Sequence, residues 1–109
     1  MSAKESQLLD ALNDRRRAMG LTEVRLRTDE LQQADTCAQQ SLANHKLSHC
    51  GHEVLYMGGD GASAEDIMGA WFDSPLHKQA LTYATSRNAG PAIAVGSDGT
   101  LVAALTIDY

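Results

Sequence analysis

Leu8, Leu9, Leu12 and Met19 recur at helical spacing near the start of the chain, with Asp10, Asp14 and Arg17 on the other side. This pattern predicts an amphipathic helix from about Lys4 to Met19. Ser2 or Ser6 is suited to cap its start, and Gly20 to end it in a left-handed C′ conformation. Arg15 and Arg16 flank the apolar stripe, so their stems are expected to pack and their heads to reach water. Val24-Arg25-Leu26-Arg27 then alternates apolar and charged residues, which lets one side pack. Thr28 reads as an N-cap followed by Asp29 and Glu30, where the helix dipole favours negative charge. Leu31, Ala34, Ala38 and Leu42 predict the buried stripe of a second helix running to about Asn44.

The stretch from His45 to Ala62 has no sustained period. Within it, Glu53 to Met57 fits either a short strand or a turn of helix. Gly58-Gly59-Asp60-Gly61 lacks the lysine of a phosphate-cradling loop and reads as a plain connection. Ser63 and Asp66 resemble a capping box, opening a third helix whose apolar surface is Ile67, Met68, Ala70 and Trp71. Trp71 and Phe72 are expected to form core on one side and a cleft wall on the other. Ser74-Pro75 restarts the chain into a short helix from Pro75 to Leu81. The last third holds two apolar runs, 91–96 and 101–107, around Ser97-Asp98-Gly99-Thr100. Asp-Gly between such runs predicts a hairpin with a type I′ turn. Because both runs are apolar on both sides, helices are expected to cover both faces of the sheet. The result is a layered α+β architecture in a single domain, residues 1–109.

Composition narrows the function classes. A net charge of −5 leaves no basic face for phosphates, so nucleic acid is not an expected partner. Arg15-Arg16-Arg17 reads as a solvated helix face. No window approaches the roughly 20 apolar residues of a membrane span. The polar N-terminus shows no signal-peptide core, which leaves both a cytoplasmic protein and a mature domain freed of its leader open. Cys37 and Cys50 permit one disulfide worth about 3 kcal/mol, or a share in a zinc site, although no CxxC pair is present.

Three of the four histidines, His45, His49 and His52, lie within eight positions, with Glu53 next and His77 far downstream. Imidazole and carboxylate suit zinc or a similar divalent ion, and equally suit acid–base work. On a continuous helix His45 and His49 would share a face. The HExxH signature is absent, because Tyr56 stands four residues after His52. Among nucleophiles, Ser48 and Ser74 sit in no GxSxG elbow, and Cys50 between His49 and His52 would be activated only if reduced and exposed.

The ordered set of segments resembles the CAP superfamily, which comprises cysteine-rich secretory proteins, antigen 5 and plant pathogenesis-related proteins of group one. It looks closest to the short bacterial SCP-like extracellular type. The resemblance is carried by Leu12-Asn13-Asp14-Arg15-Arg16, Gly20-Leu21, Lys46-Leu47-Ser48-His49, His52-Glu53-Val54, Ala70 to Lys78, and the hairpin at Gly96 to Thr100. It implies an α/β/α sandwich with a central antiparallel sheet and a cleft presenting histidines and glutamates. His49 and His77 take the histidine roles, and Glu53 the first glutamate role. A divalent metal, zinc above all, is implied on these residues, with His52 as a possible additional ligand. Glu53 would orient a bound water or a histidine N–H. Ser74 replaces the second glutamate, Val54 an asparagine, His52 a glycine, and Leu76 the glycine before His77. The resemblance therefore implies an extracellular or envelope-associated binding module for a small apolar ligand or peptide, leaning away from enzyme activity. The alternatives are a zinc-assisted hydrolase with Glu53 as base, and a purely structural module without metal.

Overall fold

In the computed structural model, which describes residues 1–109, Ser2 caps the first helix α1 (Ala3–Ala18) through a full capping box with Glu5. Gly20 follows the helix with φ +76°, and the N–H groups of Gly20 and Leu21 return to the carbonyls of Arg17 and Arg16 at 2.9 and 2.8 Å. That is the Schellman closure the sequence indicates. The chain continues through β1 (Arg25–Leu26), α2 (Thr28–Asn44), β2 (Glu53–Gly59), α3 (Ala64–Asp73), α4 (Pro75–Leu81), β3 (Asn88–Val95) and β4 (Thr100–Ile107). Thr28 is the first helical residue of α2 rather than its cap; Arg27 holds the cap position, and its guanidinium binds Glu30. The segment 53–59 is a strand, and Ser63 and Asp66 form a complete capping box on α3.

The four strands lie in the order β1-β3-β4-β2. The pairs β3–β4 and β2–β4 are antiparallel, and β1 adds a short parallel pair with β3. The sheet is thus mixed, antiparallel through three strands with a parallel edge. Alternation along β4 divides the core. Leu101, Ala103, Leu105 and Ile107 face α1, α3 and α4 together with Leu8, Leu12, Ile67, Met68, Trp71 and Leu81. Val102 and Ala104 face α2, where Ala34, Cys37 and Ala38 meet Leu55, Ala92 and Ala94. Helices on both faces remove the polar stripe that a half-solvated sheet would carry, which is why β3 and β4 are apolar along most of their length. The α2 layer is alanine-rich because helix and sheet approach closely. A Cβ on Gly90 of β3 would lie 2.2 Å from the Leu31 nitrogen of α2.

Two further sequence expectations are corrected. In the hairpin only Gly99 has positive φ (84°), with Gly96 N–H bonded to Thr100 O at 2.8 Å and Gly99 N–H to Gly96 O at 3.1 Å. Ser97 and Asp98 therefore occupy a type I turn closed by a left-handed glycine, not a type I′ turn. Arg16 is the second correction. It is fully buried, and its guanidinium donates to the carbonyls of Thr22 (2.8 Å), Leu81 (2.9 Å) and Tyr83 (3.2 Å). Burial lowers its pKa, Arg87 acts in the same direction and Asp108 opposes. The head does not reach water because three chain segments supply it with carbonyls instead.

The outer side of β3 has its own arrangement. Pro91 brings no N–H, and the Ile93 N–H donates to Glu5 Oε2 at 2.8 Å. Glu5 Oε1 meanwhile accepts the Ser2 N–H at 2.7 Å.

Candidate functional site

The site is built where α2, the loop after it and the start of β2 converge. His45 closes α2 in the left-handed conformation (φ 48°). The helix therefore stops before His49, and the two histidines do not share a helical face. The loop returns to α2 through a disulfide between Cys37 and Cys50, with a Cα–Cα separation of 5.9 Å. This settles the alternative left open by the two cysteines and removes Cys50 as a free nucleophile. Neither cysteine remains free.

Immediately after that bridge, Glu53 begins β2 with a carboxylate that has no exposed surface. Its Oε1 accepts the N–H groups of Cys50 and Gly51, each at 2.8 Å. Its Oε2 lies 2.6 Å from His49 Nδ1. With the carboxylate as acceptor, Nδ1 donates this bond, and in the neutral ring that leaves Nε2 as the acceptor nitrogen. The His49 side chain is 68% exposed, so a buried anion orients a ring that faces solvent. Burying a carboxylate is costly unless it is hydrogen-bonded, and here three N–H donors satisfy it.

His52 goes elsewhere. Successive strand residues point to opposite faces, so His52 and Glu53 diverge at the start of β2. His52 Nδ1 donates to Ile107 O at 2.7 Å, and its ring stacks on Tyr109 with centroids 4.2 Å apart. His77 stands half-buried on α4 and makes no hydrogen bond. Glu53 shares its face with Leu55, toward α2, whereas α4 belongs to the opposite layer and packs on β2. Because β2 is an edge strand, the two layers can meet only around that edge. The one group of three potential donor residues with ligand atoms all within 4.8 Å is Cys37, Cys50 and Glu53.

Other expected site features are structural. Ser74 sits at the N-cap of α4 without a side-chain cap bond. Trp71 is 1% exposed and donates its indole N–H to Leu55 O at 2.9 Å. Phe72 packs under the Arg15 guanidinium, 5.3 Å from its ring centroid, rather than forming a cleft wall. Sequence reasoning missed the buried Arg16 and its three carbonyls. The signal available was its place within the apolar stripe, four residues after Leu12 and three before Met19.

A four-stranded sheet covered by helices on both faces is a three-layer α/β/α sandwich. The family model "CAP: Cysteine-rich secretory protein family" matches residues 9–109, and the chain belongs to that family. Among solved structures, it is similar to an outer surface protein from Borrelia burgdorferi, with TM-score 0.80 and 16% identity over 96% of this chain and 92% of that one. It is also similar to Schistosoma mansoni venom allergen-like protein 4, with TM-score 0.74 and 10% identity over 100% of this chain and 92% of that one. A cysteine-rich secretory protein from Staphylococcus aureus aligns with TM-score 0.69 and 13% identity, over 97% of this chain and 38% of its own length. At these identities the likeness is one of fold. Comparison with curated protein sequences gives no match. No helix is long and apolar enough to cross a membrane.

Proposed function

We propose that this CAP domain is a non-catalytic binding module working in an oxidising, extracellular or envelope setting. Its cleft would hold a divalent cation, zinc foremost, beside a small apolar ligand or peptide. The observation that carries the reading is the Glu53–His49 pair: a buried carboxylate engages Nδ1 of a ring that is itself largely exposed. A carboxylate behind an imidazole is the usual support of a zinc-bound histidine. On this reading His49 and His77 would hold the metal with water completing the shell, and Glu53 would act through His49 rather than as a ligand. Zinc bound there would supply Lewis acidity and a fixed positive charge.

Leu47 and Leu76 support the apolar ligand. They are 37% and 79% exposed and stand beside His49 and His77 in sequence. The disulfide supports an oxidising compartment. Hydrolysis with Glu53 as general base draws less support, because both its oxygens are engaged and the side chain is sealed from solvent.

The test is calorimetric titration of zinc into the oxidised chain and into His49→Ala/His77→Ala. Heats should appear in the first and vanish in the second, and Glu53→Gln should bind about tenfold more weakly. Identical heats for wild type and the double variant would overturn the reading.

A further inference from the structure

We propose that the open border of β3, from Pro91 to Val95, is a docking site for an extended peptide carrying a basic side chain, and that Glu5 is a displaceable plug in it. Gly96 N–H donates to Thr100 O, so along the β3–β4 ladder Pro91, Ile93 and Val95 turn their main-chain groups away from β4. β1 pairs only with Asn88 and Ala89, which leaves the border beyond them without a neighbouring strand. The Ile93 N–H is taken by Glu5 Oε2 at 2.8 Å. That oxygen stands at the distance a carbonyl of an adjoining strand would keep. The carbonyls of Pro91 and Ile93 and the N–H of Val95 have no partner within the chain, and Val95 is 52% exposed. The opposite border, β2, is closed at Leu55, whose carbonyl accepts the Trp71 indole N–H.

A groove of about 200 Å³ runs between this border and α2, lined by Leu31, Gln32, Asp35, Glu5 and Pro91. Side chains of an added strand alternate between the two sheet faces, so every second one would lie on the α2 side, level with Ala92. Asp35 forms no ion pair within the chain, and Leu31 and Pro91 give the groove an apolar wall. A lysine or arginine fits both, with its stem on that wall and its charge on Asp35. The same lining selects against a second copy of this chain. Two copies joined through β3 would set the Glu5 and Asp35 carboxylates of one against those of the other, and Asn88 to Val95 carry no charge to offset them. Docking requires a main-chain carbonyl to take the Ile93 N–H from Glu5. At that atom one hydrogen bond replaces another, and the added strand gains the bonds now open at Pro91, Ile93 and Val95. What yields is the first turn of α1, where Glu5 Oε1 holds the Ser2 N–H. β4 separates this border from the Glu53–His49 pair on β2, and no metal is needed, so the site stands or falls apart from the proposed cation cleft.

The probe is a short, end-blocked peptide of alternating lysine and valine, titrated into the isotope-labelled full chain and followed by amide NMR and hydrogen exchange. The Ile93 and Val95 amide signals should shift to saturation, and exchange at the Val95 N–H should slow by about tenfold or more. The same peptide with glutamate for lysine should leave both signals in place. So should a lysine–valine peptide whose amide nitrogens are methylated and cannot pair as a strand. Asp35→Asn should weaken binding about threefold. Glu5→Ala should tighten it about fivefold, by removing the competitor for the Ile93 N–H. His49→Ala/His77→Ala should bind as wild type does. The proposal is overturned if the Ile93 and Val95 signals do not move, if the glutamate peptide binds as well, or if Glu5→Ala binds no more tightly. It is overturned as well if concentrating the intact chain alone produces the same shifts, because the occupant is then a second copy.

Discussion

The indole nitrogen of Trp71 on α3 is hydrogen-bonded to the carbonyl oxygen of Leu55 on β2 at 2.9 Å, with the tryptophan wholly inside the core. The bond anchors the helix to the outward side of an edge strand, two residues beyond the Glu53 carboxylate. Replacing Trp71 by Phe removes the donor, strands a buried carbonyl and leaves a void. We expect a loss of about 2–4 kcal/mol in urea unfolding. A loss below about 1 kcal/mol would mean that water readily replaces the indole.

Arg16 should matter more than its place in a run of three arginines suggests. Arg16→Met keeps much of the stem but leaves the carbonyls of Thr22, Leu81 and Tyr83 without their donor. The expected cost is about 2–4 kcal/mol. Arg17→Met, whose partners Asp14 and Glu23 are exposed ion pairs, should change stability by less than about 1 kcal/mol. Comparing the two chemical-denaturation midpoints checks the contrast.

Asp108 gives the acid limb of stability a defined direction. Burial raises its pKa, but the N–H groups of Asn88 and Arg87 and the Asn88 side chain outweigh this, so the net shift is downward. A group with a depressed folded pKa stabilises fully above its unfolded value. That contribution fades as pH falls through the folded value. Wild type should therefore exceed Asp108→Asn by a constant margin from neutral pH to about pH 5, and the two should converge below about pH 4. Parallel curves down to the lowest pH would assign the margin to packing instead.

Gly90→Ala should be among the most damaging single-methyl changes. The added carbon would sit 2.2 Å from the Leu31 nitrogen and 2.5 Å from the Glu30 carbonyl carbon, and neither backbone atom can turn aside. A loss of about 3 kcal/mol or more is expected, read as a fall in thermal midpoint. The same change at Gly59, where a Cβ meets nothing within 4 Å, serves as the control.

What could be read from the sequence was local. The periodicity of Leu8 and Leu12, the Ser63–Asp66 box and Pro75 at the first turn each depend on residues within one helical turn, and each marks its element correctly. The two-sided apolar character of 101–107 likewise revealed covered faces. What could not be read depends on distant partners. The water-free surroundings of Arg16 come from carbonyls 6, 65 and 67 positions away. The hairpin missed its turn type by one register step, because Gly99 takes the left-handed position after the turn rather than within it. In the candidate site, the neighbouring histidine and glutamate of His52-Glu53 suggested a shared purpose, but strand pleating separates them. The pairing of His49 with Glu53 instead depends on a loop bent by the cysteine bridge.

The guarded outer side of β3 bears on how the molecule behaves when crowded. Open strand borders invite other chains to extend the sheet. Here one such contact point is missing because of a proline, and the next is occupied by an acidic side chain that also holds the beginning of α1. The protection of this β3 border therefore depends on the first five residues staying folded. Trimming or loosening that short segment should increase clustering as concentration rises, even with the hydrophobic interior intact.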